Sequence, residues 1–210
     1  DIVKDKLLIG GTAVTTTAAE LNYLDGATVV IPGKVEGTNF TSSLLVGHST
    51  TGTLDAAQQN VGVGIGALNA ITSGDDNVAI GMDAGGSITE SKKNTLIGYR
   101  AGDSITVNSA TGNTAVGYKS LEDIVTDGQN NCALGREAGL NVSSGEGNVL
   151  LGYGAGDNIT SGSGNVVLGK ADVSSATADD QLSISDGEDG SVVWMTGDSS
   201  AKLTFPGALQ

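Results

Sequence analysis

The chain has 210 residues, a formal net charge of −14 and 33 glycines, and only 3% of its residues are aromatic. This acidic balance argues against nucleic-acid binding and against docking on anionic membranes, because both need a basic surface. A single cysteine excludes an intrachain disulfide, no apolar run reaches the length of a membrane span, and the scarcity of aromatic bulk favours thin stacked layers over one thick core.

The first predicted element is a short helix over residues 17–25, within an N-terminal region 1–42. Thr17 and Glu20 match a capping box, and Gly26 stands where a helix ends. Two roles remain open for this helix: a junction between the chains of a trimer, or a local cap on the first coil of the repeat that follows.

Residues 43–171 repeat one pattern eight times. Each unit carries a glycine, and the spacings between these glycines are 17, 17, 17, 19, 18, 17 and 17 residues. Seven units have an asparagine four residues before the glycine, and the first unit has Ser43 there. A unit of this length is too short for a pair of helices and fits one coil of a β-solenoid. We therefore predict an all-β fold, a parallel β-solenoid or β-roll of about eight coils, with the asparagines stacked as a ladder.

Each unit contains a short strand with the pattern asparagine, apolar, small or apolar, apolar, glycine. Alternation along a strand predicts that the residues flanking its centre fill the coil: Val78, Ile80, Ile97, Val116, Leu134, Leu151 and Leu168. The central residues are then expected on the outer face: Ala79, Leu96, Ala115, Ala133, Leu150 and Val167. Because a strand that is apolar on both faces is buried on both, we expect these six residues to form an interface with other copies of the chain. Cys132 is expected as a small buried apolar residue.

The two residues that follow each repeat glycine vary most between units. Several of these residues are candidates for contact with a glycan or protein receptor: Tyr99, Arg100, Tyr118, Arg136 and Tyr153. The alternative is that they pack between neighbouring coils.

Alternating apolar and polar residues in three short stretches of residues 172–210 predict a small C-terminal β unit of three strands, which would cap the open edge of the solenoid. Its Trp194 is expected to anchor a core, with a sugar-stacking platform as the alternative.

Catalytic and metal-binding signals are weak. His48 is the only histidine, and the carboxylate pairs Asp75–Asp76 and Asp179–Asp180 are ordinary in a chain rich in acidic loops. The calcium-binding nonapeptide pattern is absent, although calcium binding by the acidic loops stays open. We expect no enzyme activity and no cofactor.

The repeat resembles known families. The stretches "NVAIGMDAG" and "NTAVGYKSL" resemble the head repeats of trimeric bacterial adhesins, and "GNTAVGYKSL", "TAVTTTAAELNYLDGATV" and "DDQLSISDG" resemble segments of marine bacteriophage tail fibres. The resemblance implies a left-handed parallel β-roll and a parallel homotrimer, although the units here are longer than those of adhesin heads.

We therefore expect a structural component of a tail fibre: an extracellular virion rod that supports or contributes to host attachment beside adjacent fibre proteins. The alternative is the head of a bacterial surface adhesin. A glycan-cleaving tailspike and an ice-binding solenoid rank behind both.

Overall fold

The computed structural model describes residues 8–9, 12–13, 33–37, 39–47, 51–106 and 108–207, and no helix occurs among them. The chain divides into two compact units, Asp1–Ile31 and Pro32–Gln210. In the first unit, β1 (Leu8–Ile9) pairs antiparallel with β2 (Thr12–Ala13). The helix expected over residues 17–25 and His48 both lie outside the described residues.

The second unit is built on one sheet of 13 strands in the order β15–β14–β13–β12–β11–β10–β9–β8–β7–β6–β4–β3, with β5 beside β4. Its strands are β3 (Gly33–Gly37), β4 (Phe40–Val46), β5 (Ala57–Gln58), β6 (Val61–Val63), β7 (Val78–Ile80), β8 (Thr95–Ile97), β9 (Thr114–Val116), β10 (Cys132–Leu134), β11 (Val149–Leu151), β12 (Val166–Leu168), β13 (Leu182–Ser185), β14 (Val193–Gly197) and β15 (Leu203–Thr204). The path from β4 through β6 to β13 is parallel, whereas β3 and the β14–β15 hairpin attach antiparallel at the two ends. The predicted parallel β-solenoid of about eight turns is thus confirmed.

Equivalent repeat positions lie directly beside one another in this sheet. Ala79 pairs with Leu96, and Leu96 pairs with Ala115. The stack also continues one strand beyond the sequence repeat, because β13 pairs parallel with β12 in the same register. The nine parallel strands give a stack about 38 Å tall at the usual strand spacing of about 4.8 Å.

The coils turn at backbone positions with positive φ. In the coil that begins at Gly98, Arg100 and Gly102 have φ values of 53° and 59°. The repeat glycine itself is required for a second reason: a Cβ placed on Gly117 would overlap the carbonyl oxygen of Gly135 in the next coil. This explains why the glycine is present in every unit.

The structure reverses the expected assignment of the two strand faces. The residues expected at an interface are fully buried inside their own chain: Ala79, Leu96, Ala115, Ala133, Leu150 and Val167. The residues expected in the core point outward and stay partly exposed: Val78, Ile80, Ile97, Val116, Leu134, Leu151 and Leu168. The physical reason is that the coil is narrow and its opposite wall already fills it, with buried aliphatic residues such as Ile88, Ile105 and Ile124. Only one residue of each three-residue strand fits inside.

The buried leucines of this narrow core occupy two positions in turn, the strand centre in one coil and the corner in the next. Leu96 lies at a strand centre, and a Cβ on Gly102, at the corner of the same coil, would be 2.7 Å from its Cδ2 atom. In the next coil the sizes are exchanged, with Ala115 at the strand centre and Leu121 buried at the corner. The order of buried leucines is Leu45 (strand), Leu68 (corner), a coil with neither, Leu96 (strand), Leu121 (corner), a coil with neither, and Leu150 (strand). Neighbouring coils therefore fill the interior by complementary volumes.

Candidate functional site

The outward side of the parallel sheet is a continuous surface of uncharged side chains, which we name the outer face. Its first column is Leu44, Val61, Val78, Thr95, Thr114, Cys132, Val149, Val166 and Leu182. Its second column is Val46, Val63, Ile80, Ile97, Val116, Leu134, Leu151, Leu168 and Ile184. Leu134 is 51% exposed and Val149 is 37% exposed, although both are aliphatic. Cys132 lies on this face and is half-buried, so the expectation that it sits in the core is wrong.

The outer face is about as large as the largest apolar patch on a typical soluble protein. At about 38 Å by about 10 Å, the width of a three-residue strand, it covers about 400 Å². Contiguous apolar patches of this size on soluble proteins are often functional. The face is also regular, because every rung is paired in register with the next.

A buried polar spine runs along one edge of the same strands. Asn113 shows the pattern: its backbone N–H donates to Asn94 Oδ1 (3.0 Å), and its Nδ2 donates to Asn94 Oδ1 (3.2 Å) and to the Gly128 carbonyl (3.0 Å). Its own Oδ1 accepts from the backbone N and Nδ2 of Asn131 at 3.0 and 3.1 Å. The same pattern joins Asn60, Asn77, Asn94, Asn113, Asn131, Asn148, Asn165 and Gln181. The predicted asparagine ladder is confirmed, and it joins neighbouring coils at the edge of the outer face.

The candidate receptor residues form a stack along the next column. The rings of Tyr99 and Tyr118 stack with centroids 5.3 Å apart, and the Arg136 guanidinium lies 5.5 Å from the Tyr118 ring and 5.3 Å from the Tyr153 ring. Lys170 continues the stack over Tyr153 at 4.8 Å. Tyr118 thus contacts both Tyr99 and Arg136, and Tyr153 contacts both Arg136 and Lys170, while the two tyrosines stay 43% and 42% exposed. Contact of this column with a receptor stays a prediction.

Arg100 lies beside this stack and joins two coils through ion pairs. Its Nε donates to Asp103 at 2.8 Å and its Nη1 to Glu122 of the next coil at 2.9 Å. Lys119 reaches the same Glu122 at 3.0 Å, and Glu122 is buried. The hydrogen bond that Arg100 donates to Asp103 raises the pKa of Arg100, and the one that Lys119 donates to Glu122 raises the pKa of Lys119. These cations are thus neutralised by the chain itself.

The carboxylate pairs suggested by the sequence are engaged in local structure. Asp75 pairs with Lys92 at 2.6 Å, and the Asp179 carboxylate accepts a hydrogen bond from the backbone N–H of Ser163 at 2.8 Å. Among the described residues no group of three or more His, Cys, Asp or Glu side chains is arranged to hold a metal ion.

Sequence reasoning missed a carboxyl pair near the C-terminal end of the stack. Asp157 and Asp172 lie in neighbouring coils and line a cavity of about 450 Å³ with Lys170 and Asp189. Burial, a hydrogen bond with Asp172 and its charge raise the pKa of Asp157 to about 6. The repeat pattern does not show this pair, because the last coil is shorter and the two residues occupy different positions in their repeat units.

The C-terminal strands extend the outer face instead of forming a separate core. Met195 lies opposite Ile184, and Leu203, opposite Gly197, is 53% exposed. Trp194 is 56% exposed, so the expectation that it anchors a core is wrong for the single chain. The loop that leads to β14 is closed by Asp186, whose pKa falls to about 2 because its carboxylate accepts backbone N–H groups of Val192, Asp189 and Gly190.

Comparison of the chain with protein-family models, with curated proteins and with solved structures found no match. Across the described residues, the structure contains no helix with the length and apolar character needed to cross a membrane.

Proposed function

We propose that this chain is a non-enzymatic structural segment of a bacteriophage tail fibre, assembled as a parallel homotrimer on the outside of the virion. It acts as a rigid rod that supports or contributes to attachment to a host receptor, next to other fibre proteins. The observation that carries the proposal is the outer face: an uncharged, largely aliphatic strip that runs the full height of an in-register parallel stack.

Self-association is the simplest way to cover such a strip. At about 25 cal/mol per Å², removing about 400 Å² of it from water contributes about 10 kcal/mol per chain before the costs of association. A partner with the same rise per coil matches the strip along its whole height, and another copy of this chain has that rise. The proposed trimer interface is therefore the outer face and not the strand centres, which fill the interior of each coil.

The native mass tests the assembly. Light scattering after size exclusion is expected to give three times the 20.8 kDa of one chain, and the value should survive dilution. Leu134→Lys places a charge in the middle of the outer face and is expected to dissociate the trimer. Val125→Lys is the matched control, because Val125 is 46% exposed but lies in a loop outside the strands. A stable monomer, or equal masses for the two variants, would refute the assembly.

The resemblance to adhesin heads supports a second candidate with the same rod and a different location: the head of a trimeric bacterial surface adhesin. Mass spectrometry of purified virions and of bacterial outer membranes separates the two. Peptides of this chain in virions at a stoichiometry typical of fibres would favour the first proposal, and peptides confined to outer membranes would favour the second.

The geometry of the carboxyl groups supports a role without catalysis. Glycoside hydrolases hold their two carboxyl groups about 5–9.5 Å apart, with the sugar bond between them. Asp157 and Asp172 instead hydrogen-bond directly to each other. Release of reducing ends from host polysaccharide by the purified trimer would overturn this part of the proposal.

A further inference from the structure

Two hydroxyl groups interrupt the outer face. Thr95 and Thr114 are paired in adjacent strands of its first column, where the other seven residues are aliphatic or cysteine. Neither hydroxyl makes a hydrogen bond to any residue in the described part of the chain, whereas those of Thr72 and Thr126 each bond to a backbone carbonyl of the next coil. The two groups are therefore left to solvent or to a partner.

A face made of equal rungs has a difficulty with register. Sliding one copy along another by one coil, about 4.8 Å, still places most aliphatic residues of the outer face against aliphatic residues and leaves one rung uncovered at each end. The hydrophobic effect is non-directional and proportional to area, so it hardly distinguishes such a slipped pair from an aligned one. The second column is aliphatic throughout and supplies no correction. Sheets without distinct rungs are prone to this kind of slippage.

We propose that Thr95 and Thr114 set the register in which copies of this chain associate through the outer face. This inference rests on the proposed homotrimer. In the aligned register the two threonine layers of every copy lie at equal heights, where each hydroxyl can donate one hydrogen bond and accept others around the axis. The role corresponds to that of a buried polar residue that fixes the register of a coiled coil.

Slipped registers lose these contacts in a defined way. After a slip of one coil, the Thr95 layer of one copy meets the Thr114 layer of the other, but the remaining threonine layers face Val78 and Cys132. After a slip of two coils no threonine layer meets another. A hydroxyl buried without a partner loses its hydrogen bonds to water and gains none, so the aligned register should be favoured at least about tenfold.

The single cysteine of the chain makes the register measurable. Cys132 lies on the first column directly beside Val149. Two differently tagged chains are co-expressed, one with native Cys132 and one carrying Cys132→Val with Val149→Cys, and the trimers are oxidised. Like disulfides (132–132 and 149–149) report the aligned register, and mixed disulfides (132–149) report a slip of one coil. Mass spectrometry gives their ratio.

The threonines are then replaced in both chains by the isosteric Thr95→Val and Thr114→Val. The control carries Thr72→Val and Thr126→Val, which change two threonines outside the strands. Like disulfides are expected to exceed mixed ones about tenfold in the parent and the control. The excess should fall towards the statistical ratio in the Thr95/Thr114 variant, while its mass remains that of the trimer.

The outcomes separate the two proposals. Monomeric parent chains would overturn the proposed assembly, and with it this inference. An intact trimer whose ratio of like to mixed disulfides is unchanged by the Thr95/Thr114 replacements would overturn the register role alone. An intact trimer that forms no disulfide at either position would show that the first column does not face a partner, and would also overturn the inference.

Discussion

The asparagine spine offers a sharp test of how the coils are held together. In Asn113→Ala, the backbone N–H and Nδ2 of Asn131 lose the oxygen that accepts from both, and the Gly128 carbonyl loses its donor. Asn113 is fully buried, so water does not readily replace these partners. Each buried polar group left unpaired costs about 1–3 kcal/mol. Two groups, the backbone N–H of Asn131 and the Gly128 carbonyl, have their side-chain partner only in Asn113, so we expect a loss of about 4 kcal/mol.

The measurement is urea unfolding followed by circular dichroism at one fixed protomer concentration, because the proposed assembly would make apparent stability depend on concentration. Asn69→Ala is the matched control, since Asn69 is exposed and outside the spine. Its effect should stay within about 0.5 kcal/mol of zero, as for ordinary surface substitutions.

Asn113→Asp separates hydrogen bonding from packing. The carboxylate has nearly the shape of the amide and can still accept from Asn131, but it cannot donate to the Gly128 carbonyl unless it is protonated. The variant should therefore be strongly destabilised at pH 7 and partly recover as the pH is lowered. If Asn113→Ala unfolds at the same urea concentration as Asn69→Ala, the spine does not stabilise the stack and the reasoning fails.

Three further predictions concern the core, the glycine ladder and the carboxyl pair. Leu96→Ala should lower the free energy of unfolding by about 3 kcal/mol, and Gly102→Leu should also lower it, because the new side chain overlaps Leu96. The double variant should lose less stability than the two single losses added together, which urea midpoints can show. Gly117→Ala should cost more than about 2 kcal/mol, because it combines an overlap with the next coil and a φ of 140°. The pKa of Asp157 is about 6 in the folded state, so the folded chain binds a proton there more tightly than the unfolded chain does. Asp157 therefore stabilises the fold at acid pH, and this stabilisation is lost as the pH rises from about 4 to 6. The effect is about 1 kcal/mol after allowance for solvent screening. Asp157→Asn should flatten that slope in thermal melts between pH 4 and 7.

Clear contradictions exist for each. Strict additivity of Leu96→Ala and Gly102→Leu would mean that the two side chains do not share one volume. A Gly117→Ala variant as stable as the parent would mean that the coils can separate locally at no cost. If the melting temperatures of the parent and of Asp157→Asn depend on pH with the same slope, the proton is bound by another group.

The sequence predicted the coil, the parallel stack and the asparagine ladder, because each depends on spacing alone. Seventeen residues from Asn77 to Asn94 bring one asparagine directly beneath the next. Spacing does not say which strand face points inward, and there the prediction was wrong. Ala79 and Val78 are both compatible with a core, and the choice depends on the space left by the opposite wall, which is a property of the closed coil.

Other features depend on contacts between coils that the repeat does not encode. Cation–ring contacts along the tyrosine column need the observed rise per coil as well as the residue types. The pairing of Asp157 with Asp172 occurs beside the shortened last coil, in which Leu168 pairs with Ile184 sixteen residues later. Both arise where the units differ, and a repeat pattern describes only where they agree.

The direction of the hydrogen bonds has a mechanical consequence. Strand bonds, spine bonds and many turn bonds run from one coil to the next, along the stacking axis. A pull along this axis loads all the bonds of one layer together, while successive layers carry the same force in series. The tensile strength of the stack is then that of its weakest layer and does not grow with length. Its deflection under a sideways load, in contrast, depends on the number of layers. Lengthening such a stack by whole coils would change its reach and leave its breaking force unaltered.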